Sequence, residues 1–125
     1  MTVTSKISCE VMHLNSTDNQ PTSVLCVMGD IDITTVTELR AVINGLLTEE
    51  GAVRLIVDLS GVAHIDSSGI GALLEGLHQA NQKHMHFLLC GMNQATRRML
   101  ERTRLSLVFD TCPTVVEGLQ AEALH

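Results

Sequence analysis

The residues with the most chemical potential stand together in the run Asp58-Leu59-Ser60-Gly61-Val62-Ala63-His64-Ile65-Asp66-Ser67-Ser68-Gly69-Ile70-Gly71. Its second half places an acid and two hydroxyls where a helix begins, at a point where backbone N–H groups lack partners and the helix dipole favours negative charge. A phosphate on Ser67 is tolerated in such a setting. Adding about −1.5 to −2 charge there would leave the fold largely intact while making the local surface hostile to an acidic partner patch. The plainer reading makes Asp66 or Ser67 an N-cap that satisfies one orphan donor, worth typically ~1 kcal/mol. The two readings are compatible.

Other chemistries find less support. A serine nucleophile on a strand-to-helix elbow needs the pattern G-x-S-x-G, whereas Ile65 and Gly69 bracket Ser67 and Asp66 and Ile70 bracket Ser68. A dinucleotide fingerprint needs glycine where Leu74 follows Gly69 and Gly71, and no lysine follows in Walker spacing. Histidines invite a metal hypothesis, and His84 and His86 are spaced to share a strand face. Two ligands do not make a site, and His64 and His78 lack carboxylate or cysteine company at metal spacing. Cys9, Cys26, Cys90 and Cys112 show no C-x-x-C or zinc-like spacing and read as reduced thiols, with Cys26 and Cys90 buried in apolar runs. Neither an enzyme, a cofactor nor a bound metal is expected.

The elements that must position the serines follow from periodicity. A weaker strand is expected over residues 7–14, then a turn-forming loop from Asn15 to Pro21, then a central strand at Val24-Leu25-Cys26-Val27-Met28 closed by Gly29. Thr35-Val36-Thr37-Glu38 has capping-box spacing, and Val36, Leu39, Ile43, Leu46 and Leu47 form one apolar stripe on the helix it opens, with Gly51 as its stop. Val53-Arg54-Leu55-Ile56-Val57-Asp58-Leu59 reads as a strand buried beneath helices. The next helix carries Ile70, Leu73, Leu74 and Leu77 at core spacing, beside a row of small residues, Gly69, Ala72 and Gly76. That row lets another backbone approach, either the domain's own sheet or a partner helix.

Met85-His86-Phe87-Leu88-Leu89-Cys90 reads as a further strand, and Asn93 as the N-cap of a helix reaching about Arg102. Leu105-Ser106-Leu107-Val108-Phe109 is expected as the last strand, and Pro113 as the first turn of a terminal helix carrying Val116 and Leu119. Strands alternating with helices after an opening hairpin imply an α/β fold with a largely parallel sheet. Arg97, Arg98, Arg102 and Arg104 hold half of the chain's basic residues. They read as a solvated helix face complementing the dipole, or alternatively as a docking surface for an acidic partner.

With 125 residues and 45% hydrophobic content, the chain suits one domain with a true core, expected over residues 1–125 with its ordered part at about 7–123. Net charge −6 disfavours attraction to a nucleic-acid backbone or an anionic membrane face, and the absence of Trp and Tyr removes common stacking platforms. The first residues, Met1 to Lys6, lack a secretory pattern, and no run approaches the ~20 apolar residues of a membrane span. A cytoplasmic location is expected.

Three segments together resemble the STAS domain family, and within it the bacterial anti-sigma factor antagonists: Gly29-Asp30-Ile31-Asp32, Leu55-Ile56-Val57-Asp58-Leu59-Ser60 and Ile65-Asp66-Ser67-Ser68-Gly69-Ile70-Gly71. The resemblance implies a central, mostly parallel sheet with an N-terminal hairpin strand and about four helices. It further implies that the unphosphorylated protein binds an anti-sigma factor serine kinase, freeing a sigma factor. Phosphorylation then falls on Ser67, and a metal-dependent serine phosphatase restores the binding form. Asp32, Asp66, Ser67, Ser68, Gly69 and Ile70 would form the partner-binding face. The competing reading within the family is a stand-alone STAS subunit of a membrane transporter or signalling scaffold, without a phospho-switch.

Overall fold

In the computed structural model, which describes residues 7–120, the chain order is β1 (Ser8–Asn15), β2 (Pro21–Met28), α1 (Val36–Thr48), β3 (Arg54–Gly61), α2 (Ser67–Gln82), β4 (His86–Cys90), α3 (Gln94–Arg102), β5 (Asp110–Cys112) and α4 (Val115–Gln120). The strands form one sheet in sequence order. β1 pairs antiparallel with β2 through the expected hairpin, and every later pairing is parallel. The fold is the mixed α/β sheet with four helices that the periodicity predicts.

β3 is apolar along Leu55, Ile56 and Val57 because both of its faces are covered. On one side Leu25, Val27, Leu55, Val57, Leu59, Phe87 and Leu89 pack with residues of α1, α2 and α3 in the main core. On the other side, Val24, Ile56, Leu88 and Cys90 meet Val115 and Leu119 of α4. All five stripe residues of α1 are buried, and Gly51 stands just past the helix at φ 111°.

The small-residue row of α2 packs inward. A Cβ on Gly69 would lie 2.6 Å from side-chain atoms of both Ile31 and Ile65, and one on Gly76 would lie 2.9 Å from Ile43 and 3.1 Å from Phe87. The helix therefore seats closely, turning Ile70, Ala72, Leu73 and Ala80 inward. Leu74, expected in the core stripe, is exposed as a consequence.

Other local expectations are corrected. Thr35 does not cap α1 with its side chain; its Oγ1 accepts from the Asp32 N–H (3.0 Å) and donates to the Asp30 carbonyl (2.8 Å), so the hydroxyl braces the preceding loop. Leu105-Ser106-Leu107-Val108-Phe109 is a turn and bend, with Leu105 N–H donating to Leu100 O (2.8 Å) and Val108 N–H to Leu105 O (3.0 Å). β-formers there lose to tertiary context: Phe109 is anchored against Phe87 with centroids 6.4 Å apart, and pairing with β4 starts only at Asp110. In α4 it is Val115 and Leu119 that face the sheet, while Val116 is exposed.

Cys90 is buried as expected, but Cys26 is only half-buried. His84 lies in the turn before β4 at φ 57°, so it shares no strand face with His86, whose Nε2 pairs with Asp110 Oδ2 at 3.1 Å. The reading of residues 1–6 and the last positions of the expected ordered core, 121–123, lie outside the described residues.

This packing separates two glycines of one helix. Gly71 is exposed, and a Cβ placed on it would meet no atom within 4 Å, so Gly71→Ala raises unfolding free energy by up to about 1 kcal/mol. Gly76→Val crowds Ile43 and Phe87 and lowers it by about 1–3 kcal/mol. Urea unfolding of both variants, with unchanged slope, is the check.

Candidate functional site

The site is assembled at the carboxyl ends of β2 and β3, where two loops are joined by main-chain bonds. Gly29 N–H donates to Gly61 O (3.0 Å), Ile31 N–H to His64 O (3.0 Å), and Asp66 N–H to Ile31 O (3.0 Å). The last two form a one-residue parallel bridge between Ile31 and Ile65. A side-chain bond adds to it, as His64 N–H donates to Asp30 Oδ1 (3.2 Å). From the far side Asn93, the N-cap of α3 as expected, donates its amide to the carbonyls of Val62 (3.2 Å) and Ala63 (3.0 Å).

Asp66, and not Ser67, is the N-cap of α2. Its Oδ1 accepts from the backbone N–H groups of Ser68 (2.9 Å) and Gly69 (3.1 Å), and from the Ser68 hydroxyl. The Ser68 hydroxyl holds the Asp66 carboxyl below the usual carboxylate range, helped by the N–H groups of Gly69, Ser68 and Ile33, while desolvation opposes them. Asp66 thus serves both a helix start, through its carboxylate, and the neighbouring loop, through its N–H on Ile31 O.

The two serines are thereby made unlike. Ser68 is half-buried with its hydroxyl committed to Asp66. Ser67, the first residue of α2, is exposed, and its hydroxyl makes no hydrogen bond among the described residues. Gly69 and Ile70 are buried, so beneath Ser67 they act as packing. Asp32 shapes its own loop: its Oδ1 accepts from the N–H (2.8 Å) and hydroxyl (2.6 Å) of Thr34.

Three features escape sequence reasoning. Ile33, 74% exposed, presents an apolar side chain from the loop whose Ile31 carbonyl accepts the Asp66 N–H. Asn93 was legible as a cap, but the use of its amide group on the Val62 and Ala63 carbonyls depends on a distant loop. The exposed Leu74, Gly71 and His78 of α2 line one groove with the exposed Val108 of the turn between α3 and β5. The arginines 97, 98, 102 and 104 are all exposed, and Arg97 Nε donates to Met92 O at 3.4 Å. Among the described residues no group of His, Cys, Asp or Glu is arranged to hold a metal, and no helix is long and apolar enough to cross a membrane.

A mixed sheet whose strand-end loops are stitched together to display an uncommitted hydroxyl at a helix start defines an α/β domain with one distinctive loop pair. The chain belongs to the STAS domain family, whose model matches residues 13–118. It is 30% identical over 79 residues to an anti-sigma-B factor antagonist of Staphylococcus aureus (strain NCTC 8325 / PS 47), covering 63% of this chain and 72% of that protein. Among solved structures, an anti-sigma factor antagonist from Mycobacterium paratuberculosis superposes with a TM-score of 0.80 at 26% identity, covering 95% of this chain and 96% of the other. A sulfate transporter family protein from Wolinella succinogenes shares the fold, with a TM-score of 0.69 at 19% identity, covering 78% of this chain and 81% of the other.

The depressed carboxyl of Asp66 fixes the sign of a pH effect. A group ionising more easily in the folded state contributes stability above its unfolded pKa and loses it as pH falls through the folded value. Asp66→Asn keeps a capping oxygen but has no proton to take up. Unfolding midpoints in urea at neutral pH and near pH 3 will therefore differ less for Asp66→Asn than for the parent chain. Asp66→Ala loses about 0.5–2 kcal/mol at neutral pH.

Proposed function

We propose that the chain is an anti-sigma factor antagonist, a phosphorylation-switched binding module of the cytoplasm. With Ser67 unmodified it binds an anti-sigma factor that is also a serine kinase, and so frees a sigma factor. Transfer of the ATP γ-phosphoryl group to Ser67 Oγ ends the complex, and a serine phosphatase restores the binding form. The observation that carries this reading is the division of labour between the serines: Ser67 offers an exposed, uncommitted hydroxyl, while Ser68 is locked to Asp66.

The physics of release is local. A phosphate on Ser67 brings about −1.5 to −2 charge to a surface already carrying Asp66 and Asp32. A dianion at the centre of an interface must be desolvated, which costs several kcal/mol per ion. The fold need not rearrange, because the dipole at the start of α2 favours the added charge. Asp32 and Asp66 act in binding chiefly by fixing the loops, and the exposed Ile33, on the loop joined to the start of α2, supplies an apolar anchor. The transporter or scaffold reading shares the fold but places no demand on a free hydroxyl at position 67.

The test is incubation with candidate kinase-type anti-sigma factors and ATP, followed by intact mass and site mapping. One phosphate is expected on Ser67, absent in Ser67→Ala and retained in Ser68→Ala. Modification of Ser68 instead, or none with any kinase that binds the chain, overturns the switch. By calorimetric titration with the same partner, Ser67→Asp weakens binding by about tenfold or more, roughly 1.4 kcal/mol; Ile33→Ala weakens it without changing the unfolding midpoint.

A further inference from the structure

On the face of the sheet away from α1 and α2, one row of residues runs across four strands in register: Cys26 opposite Asp58, Asp58 opposite Cys90, and Cys90 opposite Cys112. Neighbouring strands lie about 4.8 Å apart, and a disulfide spans Cα separations of about 4.4–6.8 Å. Cys90 and Cys112 stand directly opposite each other on β4 and β5. Between Cys26 and Cys90 stands Asp58, so the register offers only one neighbouring cysteine pair. Cys112 is half-buried and reachable, whereas Cys90 is sealed beneath α4, where a Cβ on Gly118 would lie 3.1 Å from its sulfur.

The two cysteines also lie next to the clamp on the Ser67 loop. Gly91, following Cys90, donates its N–H to the carbonyl of Pro113, the residue after Cys112 (3.2 Å). Two residues beyond Gly91 is Asn93, whose amide holds the carbonyls of Val62 and Ala63. The end of β4 and the loop leading into α2 are thus mechanically joined.

We propose that Cys90 and Cys112 form a reversible thiol–disulfide pair, oxidised by hydroperoxides, that tightens the loop presenting Ser67. The Cys112 thiolate attacks the distal oxygen of the hydroperoxide; the O–O bond breaks, an alcohol or water leaves, and Cys112 becomes a sulfenic acid. The Cys90 sulfur then attacks the Cys112 sulfur, the S–S bond forms as the S–O bond breaks, and the Cys90 proton departs with the hydroxyl group as water. Two thiols and one hydroperoxide give one disulfide, one alcohol or water, and one water. Burial pushes the Cys90 thiol up to about 12, and burial also raises Cys112. Few thiolates are present at neutral pH, so the pair resists trace oxidant and responds to sustained exposure.

The experiment uses the full chain, reduced and then treated with excess hydrogen peroxide, unfolded, and alkylated with N-ethylmaleimide. The expected product has lost two hydrogens, carries the alkylating group on Cys9 and Cys26 only, and yields on tryptic digestion a linked pair of peptides containing Cys90 and Cys112. Dithiothreitol reverses it, and Cys112→Ala, a change on an edge strand, abolishes it. A bridge involving Cys9 or Cys26, or over-oxidation of Cys112 with Cys90 still alkylated, overturns the pairing. Amide exchange across residues 62–68 should slow by about threefold or more in the oxidised form. Unchanged exchange in a chain shown to be bridged overturns the coupling to the loop. Neither readout requires the partner, so failure here is distinguishable from failure of the proposed function.

Discussion

The carboxylate of Asp66 is the constraint on which the site depends. It satisfies two orphan N–H groups of α2 and takes the Ser68 hydroxyl, while the backbone N–H of the same residue donates to Ile31 O of the neighbouring loop. Each bond is ordinary in strength, about 0.5–3 kcal/mol net with a charged acceptor. Their value lies in convergence: one residue fixes the start of a helix, the rotamer of one serine and the position of a second loop. By elimination it also leaves the other serine uncommitted.

That convergence is possible because the chain comes close to itself beneath the carboxylate. Gly69 sits where a Cβ would collide with Ile31 and Ile65, the two residues that bridge the loops in the main chain. The glycine in the motif thus serves the approach of α2 to the loop pair, and Ile70 and Leu73 continue that seating into the core. A sequence motif that looks like a recognition signature is, in its second half, a packing signature. Chemistry and packing alternate along a single turn of helix.

Much of the architecture was legible in the residues. The stripe of α1 is buried at all five expected positions because a 3.6-residue period has few other interpretations. The apolar runs of β2, β3 and β4 were equally plain. What failed were judgements that depend on distant partners. Leu74 had the spacing of a core residue, but the small-residue row drew another face of the helix inward. Residues 105–109 had strand composition, yet α3 ends so that Leu105 folds back on Leu100 and only Phe109 is buried. The motif named both serines but not their difference, which arises from the direction of one hydroxyl. The Asn93 clamp was invisible for the same reason, since it acts on a loop about thirty residues away.

The sheet ends unequally at its two borders. β5 is three residues long, whereas β1 runs for eight at the opposite edge and is exposed along almost its whole length, with Val11, Met12 and Leu14 among its outward residues. Among the described residues this edge is unpaired, and a ladder of this length is a template onto which another extended chain can be added. Glu10 stands among those apolar side chains, and a single carboxylate there guards against strand-on-strand aggregation by charge rather than by cover.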